Sequence, residues 1–436
     1  MKYFPRRLFA VSLAALMLAS IYAVGASASE DIMVQNPYKD VDWETYGQYK
    51  TQLHTHTTAS DGRETMAEAI ENYYRHGYDF VAFTDHGVVD RGWTKPNHIP
   101  FYGIPDRSWT EPVYNLFNGL FGSQKIQGLP EVRLREISEG AGRGGRGMLR
   151  VPFGIEHNPN GPRVELNSWF CDWGNFTFVP GGNYEYTYGV RGVHRAGGLS
   201  MINHPSASSY GSGLSYGEIY EGGDNLYVNK VQVLLEQYPS LLGIEIPEDR
   251  DRKLWDILLA NLAPSGRNVF GIATSDSHGA DTVDARWVWA LMEEQTLDNL
   301  RRSLETGAFF SVIKADAARA APIITEIAMR DGTIAIAAEN YINIQWVSNG
   351  GIITTGGTLD LAANKNRLGA YIRAEVTGEG GTLYTQPFLL SYEGMPAGRP
   401  VPPGFVDDGR WITVLRVLMH PFIWILDRIW SLTQYF

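Results

Sequence analysis

A single cysteine, Cys171, stands in a chain of 436 residues. No intrachain disulfide can form, so stability must come from the buried core and from any bound metal. The cysteine lies in Trp169-Phe170-Cys171-Asp172-Trp173, where aromatic neighbours point to a buried small residue rather than an attacking thiolate. The chain also lacks a block of lysine or arginine. Together with a net charge of −11, that argues against broad contact with a polyanion such as nucleic acid, while leaving room for a local pocket for one phosphate. What is present is ordinary for a globular protein: 44% apolar residues, and length enough for one large domain and a smaller one. At the start, Lys2, Arg6 and Arg7 precede the apolar run Leu8–Val24 and then Ala26-Ser27-Ala28. Residues 1–28 therefore read as an export signal cleaved near Ser29, which places the mature chain in the periplasm or outside the cell.

The stretch Gln52–Gly62, QLHTHTTASDG, organises the rest. A strand over Tyr49–Leu53 puts His54 and His56 two residues apart and on one side. The Asp61–Gly62 turn brings a carboxylate beside them. Imidazole and carboxylate are the donors that Zn, Mn or Fe accept. An HxH pair alone fits a solvated surface strand equally well; further ligands at other strand exits decide otherwise. Glu64–Gly77 has helical spacing with Met66, Ala69, Ile70 and Tyr73 on one face, and the strand Asp79–Phe83 then runs into Thr84-Asp85-His86. Strand, helix and strand in that order predict a parallel sheet with ligands at the carboxyl ends. The strand Met148–Ile155 ends in Glu156-His157. Val190–Gly197 reads as a helix, and Leu199–Ile202 leads into Asn203-His204-Pro205. Leu241–Ile246 carries Glu245, Asp249–Leu262 is an amphipathic helix, and Val269–Ala273 ends in Ser275-Asp276-Ser277-His278. Arg286–Met292, a helix over Leu297–Thr306 and Ala308–Val312 complete the unit.

Val88–Arg150 interrupts this pattern with a Pro- and Gly-punctuated, aromatic-rich insertion. It is either an outer insertion with its own small core or a lid over the site. Within it Gly142–Gly147, GRGGRG, fits GxGxxG but precedes a strand rather than following one, so it is a loop and not a dinucleotide site. After Ala321 come the alternating runs Ile323–Arg330, Thr333–Ala338, Ile342–Ser348, Leu368–Val376 and Leu383–Leu390, with no helices between them.

Collected, the candidate metal ligands are His54, His56, Asp61, His86, Glu156, His204, Asp276 and His278, which take up half of the chain's ten histidines. The motifs LHTH, SDG, FTDH, GIE, NHP and SDSH, in this order from about Tyr49 to Val312, resemble the polymerase and histidinol phosphatase (PHP) superfamily. The stretch IRAEVTGEGGTLYTQPF resembles the extension of its CehA/McbA-like branch, named for carbamate-ester hydrolysis. The strand–helix pattern gives an α/β fold, for which the resemblance implies a distorted (β/α)7 barrel over 29–320 with the insertion at 88–150, and the alternating runs after it give a small all-β sandwich-like module over 321–393. A Pro/Gly linker over 394–410 and an apolar helical segment over 411–436 would follow. The resemblance also implies two or three divalent ions, Zn, Mn or Fe. His54, His56, Glu156 and Asp276 would hold one. Glu156 would bridge to a second shared with His204, and Asp61, His86 and His278 would hold a third. The family places a further histidine after the bridging glutamate. Here Gly161-Pro162-Arg163-Val164 stands near that point, leaving His157 or His194 as substitutes, or that position weak or empty.

Ions held by histidines and a few carboxylates keep positive charge, acidify water near neutral pH and stabilise charge on a phosphoryl or carbonyl oxygen. The expected function is an exported metal-dependent phosphoesterase. Asp85 would orient a ligand or move protons, Asp276 or His278 would serve the leaving group, and Arg163 would bind an anionic group or, equally, form a surface salt bridge. Two alternatives stand beside it: hydrolysis of carboxyl or carbamate esters at the same site, and a non-catalytic surface protein. Trp411–Phe436 has a narrow polar stripe and a broad apolar face. Arg416, Asp427 and Arg428 argue against a transmembrane span. It either lies in a membrane interface or packs on the protein or a second subunit, and its scarcity of lysine and arginine favours packing.

Overall fold

The computed structural model describes residues 32–87, 89–94, 128–157, 165–174, 184–208 and 226–401, and Leu418 beyond them. The leader, most of the insertion, Arg163 with its neighbours and nearly all of the terminal segment lie outside the described residues. Among the described residues no helix is long and apolar enough to cross a membrane.

The protein is a mixed α/β molecule of several sheets. Strands β1 (Ile32–Gln35), β2 (Gly47–Gln52), β3 (Phe80–Val81) and β4 (Leu149–Arg150) share an eleven-stranded sheet with β10 (Arg286–Met292), β11 (Phe309–Lys314), β14 (Asn343–Ser348), β15 (Gly351–Thr355), β17 (Tyr371–Gly378), β18 (Gly381–Thr385) and β19 (Phe388–Tyr392). A second sheet runs β5 (Ile155–His157), β6 (Leu166–Trp169), β7 (Leu199–Ile202), β8 (Leu241–Glu245) and β9 (Phe270–Ile272). A third holds β12 (Ile323–Arg330), β13 (Thr333–Glu339) and β16 (Thr358–Asp360). The first two sheets meet at isolated parallel bridges, Thr55–Ser277 and His86–Glu156.

The expected parallel unit is present: β2, the helix Met66–Arg75 and β3, with β2 and β3 parallel. The helix starts where a capping box can form, with Thr65 Oγ1 accepting from Glu68 N and Glu68 Oε2 accepting from Thr65 N. It buries Met66, Ala69, Ile70 and Tyr73, and ends before Gly77 at φ 77°. The helices Asp249–Leu262 and Leu297–Thr306 fall where the spacing puts them. The ladder is not a regular (β/α)7 ring, however. β6 runs antiparallel to both β5 and β7, and β10 runs antiparallel to both β2 and β11.

The C-terminal strands also differ from their expected form. Leu383–Leu390 is two strands, because Pro387 has no N–H to continue a ladder. β18 pairs with β11 and β19 with β1, so these strands extend the sheet that begins near the N-terminus. Trp255, Leu258 and Leu259 pack in one cluster with Tyr371, Tyr384 and Leu389. Across this contact the buried Arg373 guanidinium donates to both Asp256 oxygens at 3.0 and 2.9 Å, and Tyr371 donates to the same carboxylate at 2.7 Å. Asp256→Ala would leave a buried cation without its main partner. A loss of about 3–5 kcal/mol is expected, read as a lowered urea midpoint, whereas a change within about 0.5 kcal/mol would mean the pair is idle.

Candidate metal centre

The site forms where strand exits of the two sheets converge. At the end of β2, Gln52 Oε1 accepts from Leu53 N and His54 N, while its amide donates to Ser275 Oγ at 2.9 Å, which ties this exit to that of β9. His56 N donates to Ser277 O, Arg63 N to His278 O, Thr84 N to Thr55 O and Gly87 N to Glu156 O, each at 2.8 Å. The turn after His56 requires glycine at position 62, because a Cβ there would lie 2.6 Å from the His56 carbonyl. Asp276 adopts φ 47°, a left-handed conformation that aspartate tolerates better than most residues.

This framework brings His54, His56, Asp61, His86, Glu156, His204, Asp276 and His278 together. His54 Nε2 and His56 Nε2 are 3.1 Å apart, and each is 3.1 Å from Asp276 Oδ1. Glu156 Oε2 lies 3.1 Å from His56 Nε2, 3.5 Å from His54 Nε2 and 2.8 Å from His86 Nδ1. Asp61 is 3.3–3.4 Å from ring nitrogens of His278, His86 and His56. His204 Nε2 is 3.6 Å from Glu156 Oε1 and 3.9 Å from Asp276 Oδ2. The floor is dry and the mouth is open: the side chains of His54 and Glu156 are 0% and 1% exposed, those of Asp276 and His278 35% and 36%.

The electrostatics favour positive charge at the centre. Burial opposes charge on His54, yet Asp276 and Glu245 hold its pKa well above the usual range. Burial and His86 work against His56, but Asp276 and Glu156 keep it up at about 9. His204 is likewise raised against burial, by Glu156 and Glu165, to about 10. The carboxyls of Asp61, Glu156 and Asp276 sit well below their ordinary values despite burial: His278 and His86 act on Asp61, His86 and His54 on Glu156, and His54 and His56 on Asp276. Divalent cations fit such a donor set. Two imidazole nitrogens face each other at 3.1 Å, and the buried Glu156 Oε2 accepts no hydrogen bond although three ring nitrogens surround it. His56, Asp61, His86 and His278 could hold one ion, and His54 with Glu156 and His56, or with His204 and Asp276, another.

Asp85 does not face this centre. Its carboxylate accepts from Thr57 N, Thr57 Oγ1 and Ser60 Oγ at 2.7–2.8 Å, and Ser60 Oγ lies 3.2 Å from His56 Nδ1. It shapes the His56–Asp61 loop and touches His56 only through Ser60. Neither substitute histidine enters a ligand cluster among the described residues. His194 pairs with Ser240 Oγ at 2.9 Å, and the buried His157 with Ser168 Oγ at 2.7 Å. Burial drives His157 from its ordinary 6.5 down to about 3. The unfolded chain therefore takes up a proton that the folded one refuses. The stability His157 contributes is present above pH 6.5 and is lost as pH falls toward 3. In His157→Gln, metal content should stay the same and the acid loss of stability should become shallower. A lost ion would make His157 a ligand after all.

Two residues enter that the motifs did not indicate. Glu165, just before β6, places Oε2 3.4 Å from His204 Nε2. Glu245, at the end of β8, places Oε1 2.7 Å from His54 Nδ1. Asn203 Nδ2 donates to Glu156 Oε1 at 2.7 Å and fixes that carboxylate. Each of the two glutamates is a lone polar residue in an apolar or loop context, so only the fold reveals it, whereas Asn203 stands in the NHP motif. Cys171 is buried, as expected, and 142–147 is a turn and loop before β4.

No family model matches the chain, and no curated protein matches it. Among solved structures, a two-domain Bacteroides vulgatus protein, containing a PHP-like metal-dependent phosphoesterase as predicted for it, is similar over 87% of this chain and 97% of its own, at 14% identity and TM-score 0.41. A Bifidobacterium adolescentis protein named as a metal-dependent phosphoesterase covers 62% of this chain and 97% of its own, at 15% identity and TM-score 0.27. A Chromobacterium violaceum amidohydrolase, with bound sulfate and no metal, covers 52% of this chain and 87% of its own, at 14% identity and TM-score 0.25. These superpositions are loose, so the geometry of the site itself has to carry any assignment of function.

Proposed function

We propose that this chain is an exported metal-dependent phosphoesterase of PHP type, in the CehA/McbA-like branch, built on a distorted (β/α)7-like arrangement and acting on a small phosphoester. The observation that carries the reading is the convergence of five histidines and three carboxylates from separate strand exits on one centre with a dry floor and an open mouth. Two or three divalent ions, Zn, Mn or Fe, would supply an acidified water and a counter-charge for the developing phosphoryl oxygens. The chain's own residues do the rest. His54, His56 and Glu156 hold the floor, and Asn203 keeps Glu156 turned inward. At the mouth, His278 would hand a proton to the leaving oxygen, its Nδ1 lying 2.9 Å from the Asp276 carbonyl, or the ionised Asp276 would serve that oxygen through a shared proton donor. Residues 411–436 pack on the protein or a second copy, or rest on a membrane surface.

The test is the mature protein loaded with Mn2+ or Zn2+ and offered nitrophenyl phosphate mono- and diesters, an acetate and a carbamate. Turnover of a phosphoester that a chelator abolishes and metal restores is the expected result. Turnover confined to the acetate or carbamate would move the site to carbon esters. No turnover of any ester by metal-loaded protein would overturn the hydrolase reading and favour the non-catalytic one.

A further inference from the structure

We propose that Glu165 is a ligand of the ion shared by Glu156 and His204, and that this carboxylate-rich position selects a harder divalent cation of the Mn2+ class beside a histidine-rich position suited to Zn2+. The inference rests on the reading of the cluster as a metal centre and goes beyond it in naming a ligand and a division of labour.

Three observations carry it. First, Glu156, Glu165 and His204 each offer one atom to a common point, all within 4.8 Å of one another. Two carboxylates thus converge on the single nitrogen His204 Nε2, at 3.4 and 3.6 Å. One ring N–H cannot serve both, whereas a cation among the three can. Secondly, the Glu156 oxygen that faces this point is fixed in place: the almost wholly buried Glu156 accepts from Asn203 Nδ2 at 2.7 Å through Oε1, the atom 3.6 Å from His204 Nε2. Thirdly, Glu165 is held by regular structure. Asn203 N donates to its carbonyl at 3.0 Å, and β6 pairs with β7 from Leu166–Ile202 onward, which sets Glu165 and His204 at neighbouring ends of two strands. Such placement preorganises a ligand pair better than a free loop.

The two ends of the centre then differ in chemistry. One offers three imidazoles and one carboxylate, from His56, His86, His278 and Asp61; the other offers two carboxylates and one imidazole. Oxygen-rich sets suit Mn2+ and Mg2+, and imidazole-rich sets suit Zn2+. Glu165 thus stands in for the histidine that the family pattern would supply.

The experiment strips the full mature chain with a chelator and returns Mn2+ and Zn2+, separately and mixed. Ions per chain are read by elemental analysis and bound Mn2+ by its electron paramagnetic resonance signal. The native chain should take up both metals from the mixture. Glu165→Ala should lose roughly one ion per chain, with Mn2+ affinity down about 10-fold or more and Zn2+ retained. Glu165→His should restore the count and shift it toward Zn2+. If Glu165→Ala fails to fold by circular dichroism, Glu165→Gln keeps the shape and the test. Unchanged Mn2+ stoichiometry and affinity in the folded variant would overturn the ligand assignment. A native chain that fills with Zn2+ alone would overturn the selectivity. Ester turnover is not the readout: the predicted metal shifts with no turnover uphold Glu165 and sink the phosphoesterase reading, whereas turnover with unchanged metals does the reverse.

Discussion

Asp276→Asn and His54→Ala should each lower turnover of metal-dependent substrates by more than about 100-fold, beyond what loss of an outer-shell partner costs, while the chain stays folded. The reason lies in where these atoms sit. Asp276 Oδ1 is 3.1 Å from both His54 Nε2 and His56 Nε2, and Asp276 Oδ2 is 3.9 Å from His204 Nε2. The residue therefore faces three imidazoles from two strand exits. Asparagine keeps its shape and removes the charge that offsets a cation. His54 has no exposed surface and takes part in two of the possible ligand groups, so alanine there opens a hole in the floor. Neither change disturbs the three apolar clusters that hold the sheets, so the circular dichroism spectrum should match the native one. Elemental analysis should show fewer ions in both variants. Native metal content with native turnover in both would remove the metal-centre reading.

Most candidate ligands visible in the sequence share one property: they lie in a short polar motif at a strand exit. LHTH, FTDH, NHP and SDSH break strand patterns with residues that a core would not accept without a partner. That contrast makes His54, His56, His86, His204, Asp276 and His278 legible. Glu245 escapes because Leu241-Leu242-Gly243-Ile244-Glu245 reads as a strand that simply ends in a charge. Glu165 escapes because its place beside His204 depends on antiparallel pairing of β6 with β7, whereas the sequence pattern pointed to parallel crossovers. Helices were legible at nearly residue precision where caps and spacing agree, as for Asp249–Leu262 and Leu297–Thr306. Short strands were not: β15 and β16 lie in Gly- and Thr-rich sequence with little alternation, and β1 gains its identity only from β19, distant along the chain. Local periodicity records which face is buried, but not which strand lies alongside.

Glu245→Gln should weaken metal binding about 10- to 100-fold and leave kcat nearly native once metal is saturating. The buried carboxylate accepts from His204 N at 2.7 Å through Oε2, and its Oε1 sits 2.7 Å from His54 Nδ1 and accepts from Thr274 Oγ1. One side chain at the end of β8 thus aligns the exits of β2, β7 and β9. Accepting the Nδ1 proton of His54 fixes the tautomer in which Nε2 presents its lone pair to the cluster. Glutamine preserves shape and one acceptor but loses the charge that makes His54 a stronger donor to a cation. The effect should fall below that of His54→Ala, which removes the donor itself. Glu245→Ala should go further, because it also frees the His204 backbone. Competition with a chelator of known affinity gives the dissociation constants, and turnover at saturating metal gives kcat. An unchanged metal affinity would deny Glu245 its positioning role. A kcat that stays low however much metal is added would place it in the chemistry instead.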